Sequence, residues 1–434
     1  MRIDIQEGME RVLKSKWFHF IGISLITAIG IIVYSNTIYS SFHFDDIPQI
    51  VENYIIRDIK NLTDILAGQR GVTMATFALN YAVGGLNVLG YHVVNISIHI
   101  LNGILFYMVL FLTLNYAQEK DKVDEEWSKW IAVFAAALFT VHPIQTQSVT
   151  YIVQRMESLA SFFYLLALLL FIKGAEAQSQ TKKAVLYSGV ALSYILSFYS
   201  KEIAITLPIM IVLYDLFFIA KGSGVKGLVK RWHLYLALLG IMLYLSLKTI
   251  YGLGGFGDLS EETAGMGNMT VTVEKSAGFD VTVISPLEYL FTQFNVILYY
   301  ITLLFFPINQ NLDYDFPVSM GLFEIPKITE GTVLNIPLPP PAVSLVILLS
   351  IIGAAFYLYR QANIHHTPVA RAASFFILWF FIILLPTSSF VPIIDVIFEH
   401  RVYLASAGFF VIFALIVDYG SSRIAGWFRL GKVS

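Results

Sequence analysis

Apolar residues recur in long runs rather than in a short period. Runs of mostly Leu, Ile and Phe cover about 17–39, 88–116, 130–141, 157–172, 184–199, 203–220, 232–251, 286–306, 342–359, 372–386 and 402–420. Stretches of this length and content predict membrane-spanning helices, ten or eleven of them. The basic cluster Arg11, Lys14 and Lys16 precedes the first run, which is long for a signal peptide and lacks a small-residue cleavage site, so it reads as an uncleaved helix. With the N-terminus inside, the inward segments 117–129, 173–183, 221–231, 360–371 and 421–434 are short and, with the N-terminal segment, hold most of the 28 Lys and Arg residues. Both ends inside requires an even number of crossings, and 286–306 is the run expected to be re-entrant or interfacial: it opens at Ser285-Pro286, carries Glu288, Gln293 and Asn295, and stops at Pro307. The outward loops are long and polar, at 40–87, 252–285 and 307–341, the first with two short helical stretches at roughly 48–58 and 60–68. Loops of that size on one face usually build a site. No repeat of 20–50 residues is seen, so 1–434 reads as one transmembrane domain.

Composition agrees and narrows the chemistry. The chain is 57% hydrophobic and only 13% charged, with mean hydropathy +0.70, whereas soluble domains carry roughly 25% charged residues. A net charge of −2 gives no basic face for nucleic acid. The absence of cysteine removes disulfides, thiol catalysis and cysteine-ligated metals. Gly252-x-Gly254-x-x-Gly257 and Gly222-x-Gly224-x-x-Gly227 fit a dinucleotide fingerprint but follow no strand, so both read as loops. There is no P-loop, His-Glu-x-x-His or Gly-x-Ser-x-Gly.

Titratable residues gather at the outward ends of the runs. Asp45 and Asp46 follow the first helix, as a general base, as ligands of a divalent cation such as Mg or Mn, or as a helix cap before Ile47-Pro48. His142, Arg155 with Glu157, Lys201-Glu202 and Glu399-His400-Arg401 lie on the same side. One such group is an ordinary interfacial anchor. Together they read as cations for an anionic group and carboxylates for proton transfer, with Arg155, Lys201 and Arg401 suited to a phosphate. Asp313 and Asp315 fit either a turn or a further contributor to the site, and His43, His142 and His400 lack the shared-helix spacing of a metal site.

The order of these motifs resembles a known family. Phe42-x-Phe-Asp-Asp46, Arg70, Thr76-Phe-x-Leu-Asn-Tyr81, Gly90-Tyr-His92-x-x-Asn95, His142-Pro-Ile-x-Thr, Arg155-x-Glu157, Ser200-Lys-Glu202 and Glu399-His-Arg-x-Tyr-Leu404 are similar to the membrane half of the transmembrane and tetratricopeptide-repeat O-mannosyltransferases. Two departures stand out: Gly71-Val72 replaces the usual Pro-Leu after Arg70, and the tetratricopeptide repeats are missing from the 434 residues.

The resemblance implies an all-α polytopic protein with the fold of the C-type membrane glycosyltransferases (GT-C), with short juxtamembrane helices in its outward loops. It implies transfer of a sugar, such as mannose or another hexose, from a polyprenyl-phosphate carrier to a protein, lipid or glycan acceptor, with Asp45 or Asp46 catalytic. The site would face the periplasm, the outside or the lumen, in an inner or plasma membrane or the endoplasmic reticulum. The alternative is a transporter or flippase of lipid-linked sugars, which would call for charges at the midplane of several helices and symmetry between halves.

Overall fold

The computed structural model describes residues 16–119, 123–250, 283–327, 334 and 337–430. Every apolar run is helical, and no strand occurs among the described residues. In chain order the helices are α1 (Phe18–Tyr34), α2 (Leu62–Ala67), α3 (Gly71–Gly84), α4 (Val88–Ala117), α5 (Glu125–Val141), α6 (Thr146–Thr150), α7 (Arg155–Glu176), α8 (Gln180–Phe198), α9 (Leu207–Tyr214), α10 (Val225–Val229), α11 (Trp232–Ile250), α12 (Pro286–Phe305), α13 (Pro341–His365), α14 (Pro368–Leu384) and α15 (Ser406–Leu430).

By length and apolarity six helical segments can cross a membrane, or seven if α5 and 143–150 form one bent span. The shortfall from ten or eleven has plain causes. Helix α8 opens with the polar Gln-Thr-Lys-Lys, and the apolar parts of α11 and α14 stop short of 18 residues. The re-entrant half of the expectation for 286–306 is corrected: α12 is one unbroken 20-residue helix, about 30 Å long and by length and apolarity able to span. Ser285 and Glu288 form a capping box and Pro286 takes the first turn, so the polar opening residues serve the helix start. The break lies elsewhere, between α5 and the following turn, which bend by 54° at His142-Pro143.

Helix α4 is the axis of the fold. It packs against α1, α5, α7 and α14, while α15 bridges α5 and α14 and α13 packs between α12 and α14. One side of α4 carries a stripe of buried polar residues, His92, Asn95, His99 and Asn102, at helical spacing. The Asn95 amide donates to the carbonyls of Val149 (3.1 Å) and Ile152 (3.2 Å), tying down the break between α6 and α7. The Asn102 amide donates to Ser158 (2.7 Å) and Tyr403 (2.9 Å). By contrast α13 is mostly exposed along its length, as a helix facing hydrocarbon would be.

The 40–87 loop holds the expected short turns, at Ile47–Val51, Ile55–Arg57, Ile59–Asn61 and α2, and also the 14-residue α3, which its mixed composition concealed. The 252–285 loop falls almost wholly outside the described residues, and the described part of 307–341 has no regular element before Pro341.

Candidate functional site

A cavity of about 250 Å³ opens where the 40–46 segment, the 146–151 turns, the 310–312 segment and the turn before α15 meet, with Ser40, His43, Asp46, Gln147, Tyr151 and Glu399 among its walls. The two adjacent aspartates play different parts there. Asp46 is buried and its carboxylate accepts the N–H of Val153 at 2.7 Å and of His43 at 3.1 Å. Burial pushes its carboxyl up to about 6, against the lowering effect of those N–H groups. Asp45 is exposed, and its N–H donates to the Tyr151 hydroxyl at 2.9 Å. Phe44, just before it, has a left-handed φ of 46°.

The cations form a belt beside this cavity. Arg70, also left-handed at φ 53°, donates from Nε (3.1 Å) and Nη2 (3.2 Å) to the two oxygens of Glu202. The N–H of Val72 donates to the Tyr199 carbonyl and the Thr73 hydroxyl to that of Ser200, which fixes the start of α3 against the Lys201 turn. Lys201 is buried, 2.8 Å from Glu157 and 3.2 Å from Gln154. Arg401 is buried; its guanidinium donates to the carbonyls of Val396 (3.2 Å) and Asp395 (2.7 Å) and lies over the Phe398 ring, 5.4 Å from its centroid. His400 stacks on Phe398 and hydrogen-bonds Gln147 through its N–H (2.7 Å) and Nδ1 (2.9 Å). Burial, with Lys201, Arg401 and Arg70 near, pushes His400 well below its ordinary range, so the ring is neutral. The same cations are within Coulombic reach of the carboxylates: Arg70 of Asp45 and Glu157, and Arg401 of Asp395, which itself feels Asp45 and Asp313.

Arg155 stands apart from this belt. It is fully buried, with Nε on Asn95 (2.6 Å), Nη1 on Thr76 (3.0 Å) and Asn80 (2.6 Å), Nη2 on the Tyr91 carbonyl (3.0 Å), and the Phe77 ring 4.4 Å away. It therefore pins α3, α4 and α7 together. His92 donates from Nε2 to the Ser40 carbonyl (2.9 Å), holding the start of the first loop, and His142 packs on Phe410 at the helix break. Glu399 is buried and takes hydrogen bonds from the Asn311 N–H (3.0 Å), the Tyr314 hydroxyl and the Gln310 amide; burial pushes its carboxyl up while these donors oppose the rise. It fastens the 310–314 segment over the cavity. Asp313 and Asp315 are exposed on that segment.

Among the described residues no three His, Cys, Asp or Glu side chains gather as a metal site, and Asp46 has both oxygens engaged by backbone, so these side chains do not form a shell for a divalent cation. Sequence reasoning missed Tyr151, Gln147, Gln154, Gln310 and Asn311. Uncharged amides and a lone tyrosine carry no spacing signal, although Tyr151 and Gln154 lie within four residues of Arg155.

Comparison with known proteins gives one consistent group of relatives. Over 203 residues, 43% of this chain, it is 32% identical to the protein O-mannosyl-transferase F38B6.6 of Caenorhabditis elegans, of which it covers 27%. Over 218 residues, 46% of this chain, it is 28% identical to the protein O-mannosyl-transferase TMTC3 of Homo sapiens, of which it covers 22%. TMTC4 of Homo sapiens is 27% identical over 231 residues, 48% of this chain and 31% of its own length. The chain thus spans less than a third of these relatives, and the group is the one that the ordered motifs resemble. No family model and no solved structure matches the chain.

Proposed function

From its similarity to protein O-mannosyl-transferases we propose that this chain is an integral-membrane glycosyltransferase that moves a sugar, in the first instance mannose, from a polyprenyl-phosphate carrier to a hydroxyl of a protein acceptor on the non-cytoplasmic side. The observation that carries this reading is the Asp45-Asp46 turn, with Asp46 in the wall of one cavity, beside a cation belt in which Arg70 is within Coulombic reach of Asp45 and Arg401 of Asp395. In the reaction the acceptor oxygen attacks the anomeric carbon, the bond from that carbon to the phosphate oxygen breaks, and polyprenyl phosphate leaves with the bonding electrons. Asp45, exposed beside Tyr151, takes the hydroxyl proton. Lys201 and Arg401 hold the phosphate as its charge grows, Arg401 because its hydrogen bonds to the Val396 and Asp395 carbonyls leave its charge without a carboxylate in direct contact. Asp46, Arg155 and Glu399 position these groups without touching substrate. An apolar cavity of about 210 Å³ between α12, α14 and α15, lined by Ile301, Phe305, Phe376, Phe380, Phe409 and Phe413, suits an isoprenoid chain.

The test is transfer by the purified protein in lipid from a panel of polyprenyl-phosphate sugars to acceptor peptides, with release of polyprenyl phosphate as readout. Asp45→Asn is expected to lose roughly 10²–10⁴-fold in kcat/KM. Turnover of no donor, with lipid-linked sugar still crossing vesicles in both wild type and variant, would replace the transferase with a transporter.

A further inference from the structure

A second cavity, of about 480 Å³, lies at the other end of α4 and has no part in the chemistry above. Its walls include Glu119, Lys221, Tyr359, Asn363, His366 and Arg371. From His92 to the Ala117 edge of this cavity α4 rises about 38 Å, so the two sites stand at opposite ends of the bundle.

Its cations are placed unusually. Arg371 is only 5% exposed, yet its guanidinium meets three neutral acceptors: the carbonyl of Phe217 (3.0 Å) from Nη1, and the carbonyl of Ala362 (3.3 Å) and Oδ1 of Asn363 (3.0 Å) from Nη2. That leaves its Nε–H and one Nη1 hydrogen without a partner among the described residues. Lys221 donates to the carbonyls of Tyr116 and Gln118, again neutral, and has a third hydrogen to give. Lys221 and Arg371 feel each other's charge, and Glu119 at the rim is the carboxylate within reach of Lys221. Nearby Asp215 does not serve them, because it is already held by Arg231 and Tyr235. Arg371 is taken out of water with no carboxylate among its partners, which is costly, and an incoming anion would complete it and take the third hydrogen of Lys221. The planar fork of Arg371 beside the point charge of Lys221 matches phosphate oxygens, and the volume is that of a small-ligand site.

We propose that this cavity binds the phosphate group of an anionic ligand at the face of the protein opposite Asp45. The proposal stands without the transferase reading. Two sources carry that chemistry, a lipid headgroup and a soluble phosphate, and two arms of one experiment separate them. Thermal unfolding of the full chain is followed in phosphatidylcholine nanodiscs with rising phosphatidic acid, and in detergent with sodium phosphate against sodium chloride at equal ionic strength. A rise in Tm is expected in at least one arm, with half-saturation moved up about tenfold or more by Lys221→Gln and by Arg371→Gln. Lys182→Gln, exposed and outside the cavity, is expected to leave it unchanged. A response to lipid alone assigns a headgroup; a response to sodium phosphate assigns a soluble ligand. Absence of any rise, or a rise that Lys221→Gln does not weaken, overturns the proposal. Lys221 is the less buried residue, so its variant decides the matter even if Arg371→Gln fails to fold.

Discussion

Asp46 and Arg155 are charged residues whose partners all lie within the protein: backbone N–H groups for Asp46, neutral oxygens for Arg155. Burial lifts the Asp46 carboxyl from 3.8 to about 6, so the folded protein holds that proton more tightly than the unfolded chain. Its contribution to stability is therefore full below pH 3.8 and is lost as pH rises to about 6. Activity runs the other way, because the anion is the better acceptor for the Val153 and His43 N–H groups that shape the loop. We expect kcat/KM to fall about tenfold per unit below pH 6, a limb that a pH–rate profile would show; a flat profile from pH 5 to 8 would remove Asp46 from this role. For Arg155, Lys cannot reproduce a fork shared among Asn95, Thr76, Asn80 and Tyr91. Arg155→Lys should cost about 3 kcal/mol or more, read as a large drop in Tm, through the acceptors it strands. Charge made both residues visible in the sequence. What each one touches was not visible, because the partners are backbone N–H groups and neutral amides.

At the scale of elements, apolar length was the legible signal, and all eleven runs are helices for that reason. Helix α3 was not legible, since its residues alternate in character and it draws stability from contacts with the 199–200 turn. Gly71 has a physical reason in this fold. A Cβ there would stand 2.5 Å from the Ile65 carbonyl oxygen and 2.6 Å from that of Leu66, so the chain crosses α2 at a distance only glycine permits. Gly71→Ala should destabilise by about 1–3 kcal/mol and, by moving Arg70 off Glu202, should lower transfer activity as well. Gly84→Ala is the control: its nearest neighbour is the Asn87 Cβ at 4.0 Å, and unchanged or raised stability is expected. Equal losses for the two would refute the close-approach account.

For the whole molecule, the central inference is that the two cavities open on opposite faces of a membrane. The sequence is well suited to checking it, because it contains no cysteine and every introduced thiol is unique. Ser41→Cys, beside the Asp45-Asp46 turn, and Ser223→Cys, beside the Lys221 cavity, should react with a membrane-impermeant maleimide from opposite sides of sealed vesicles. Labelling of both from one side would overturn the topology that the basic inward segments suggest.

One consequence of the backbone reaches beyond mechanism. Among the described residues, four other than glycine have positive φ, and three of them, Phe44, Arg70 and Asn309, adjoin the candidate site. A left-handed residue holds conformational energy of order 1 kcal/mol or more that its surroundings must sustain. In a saturation library these positions should therefore sort substitutions by backbone preference, with Gly, Asn and Asp tolerated at Phe44 while the β-branched Val and Ile are not. The mutational tolerance of this rim would then follow its torsion angles more closely than the polarity of its side chains.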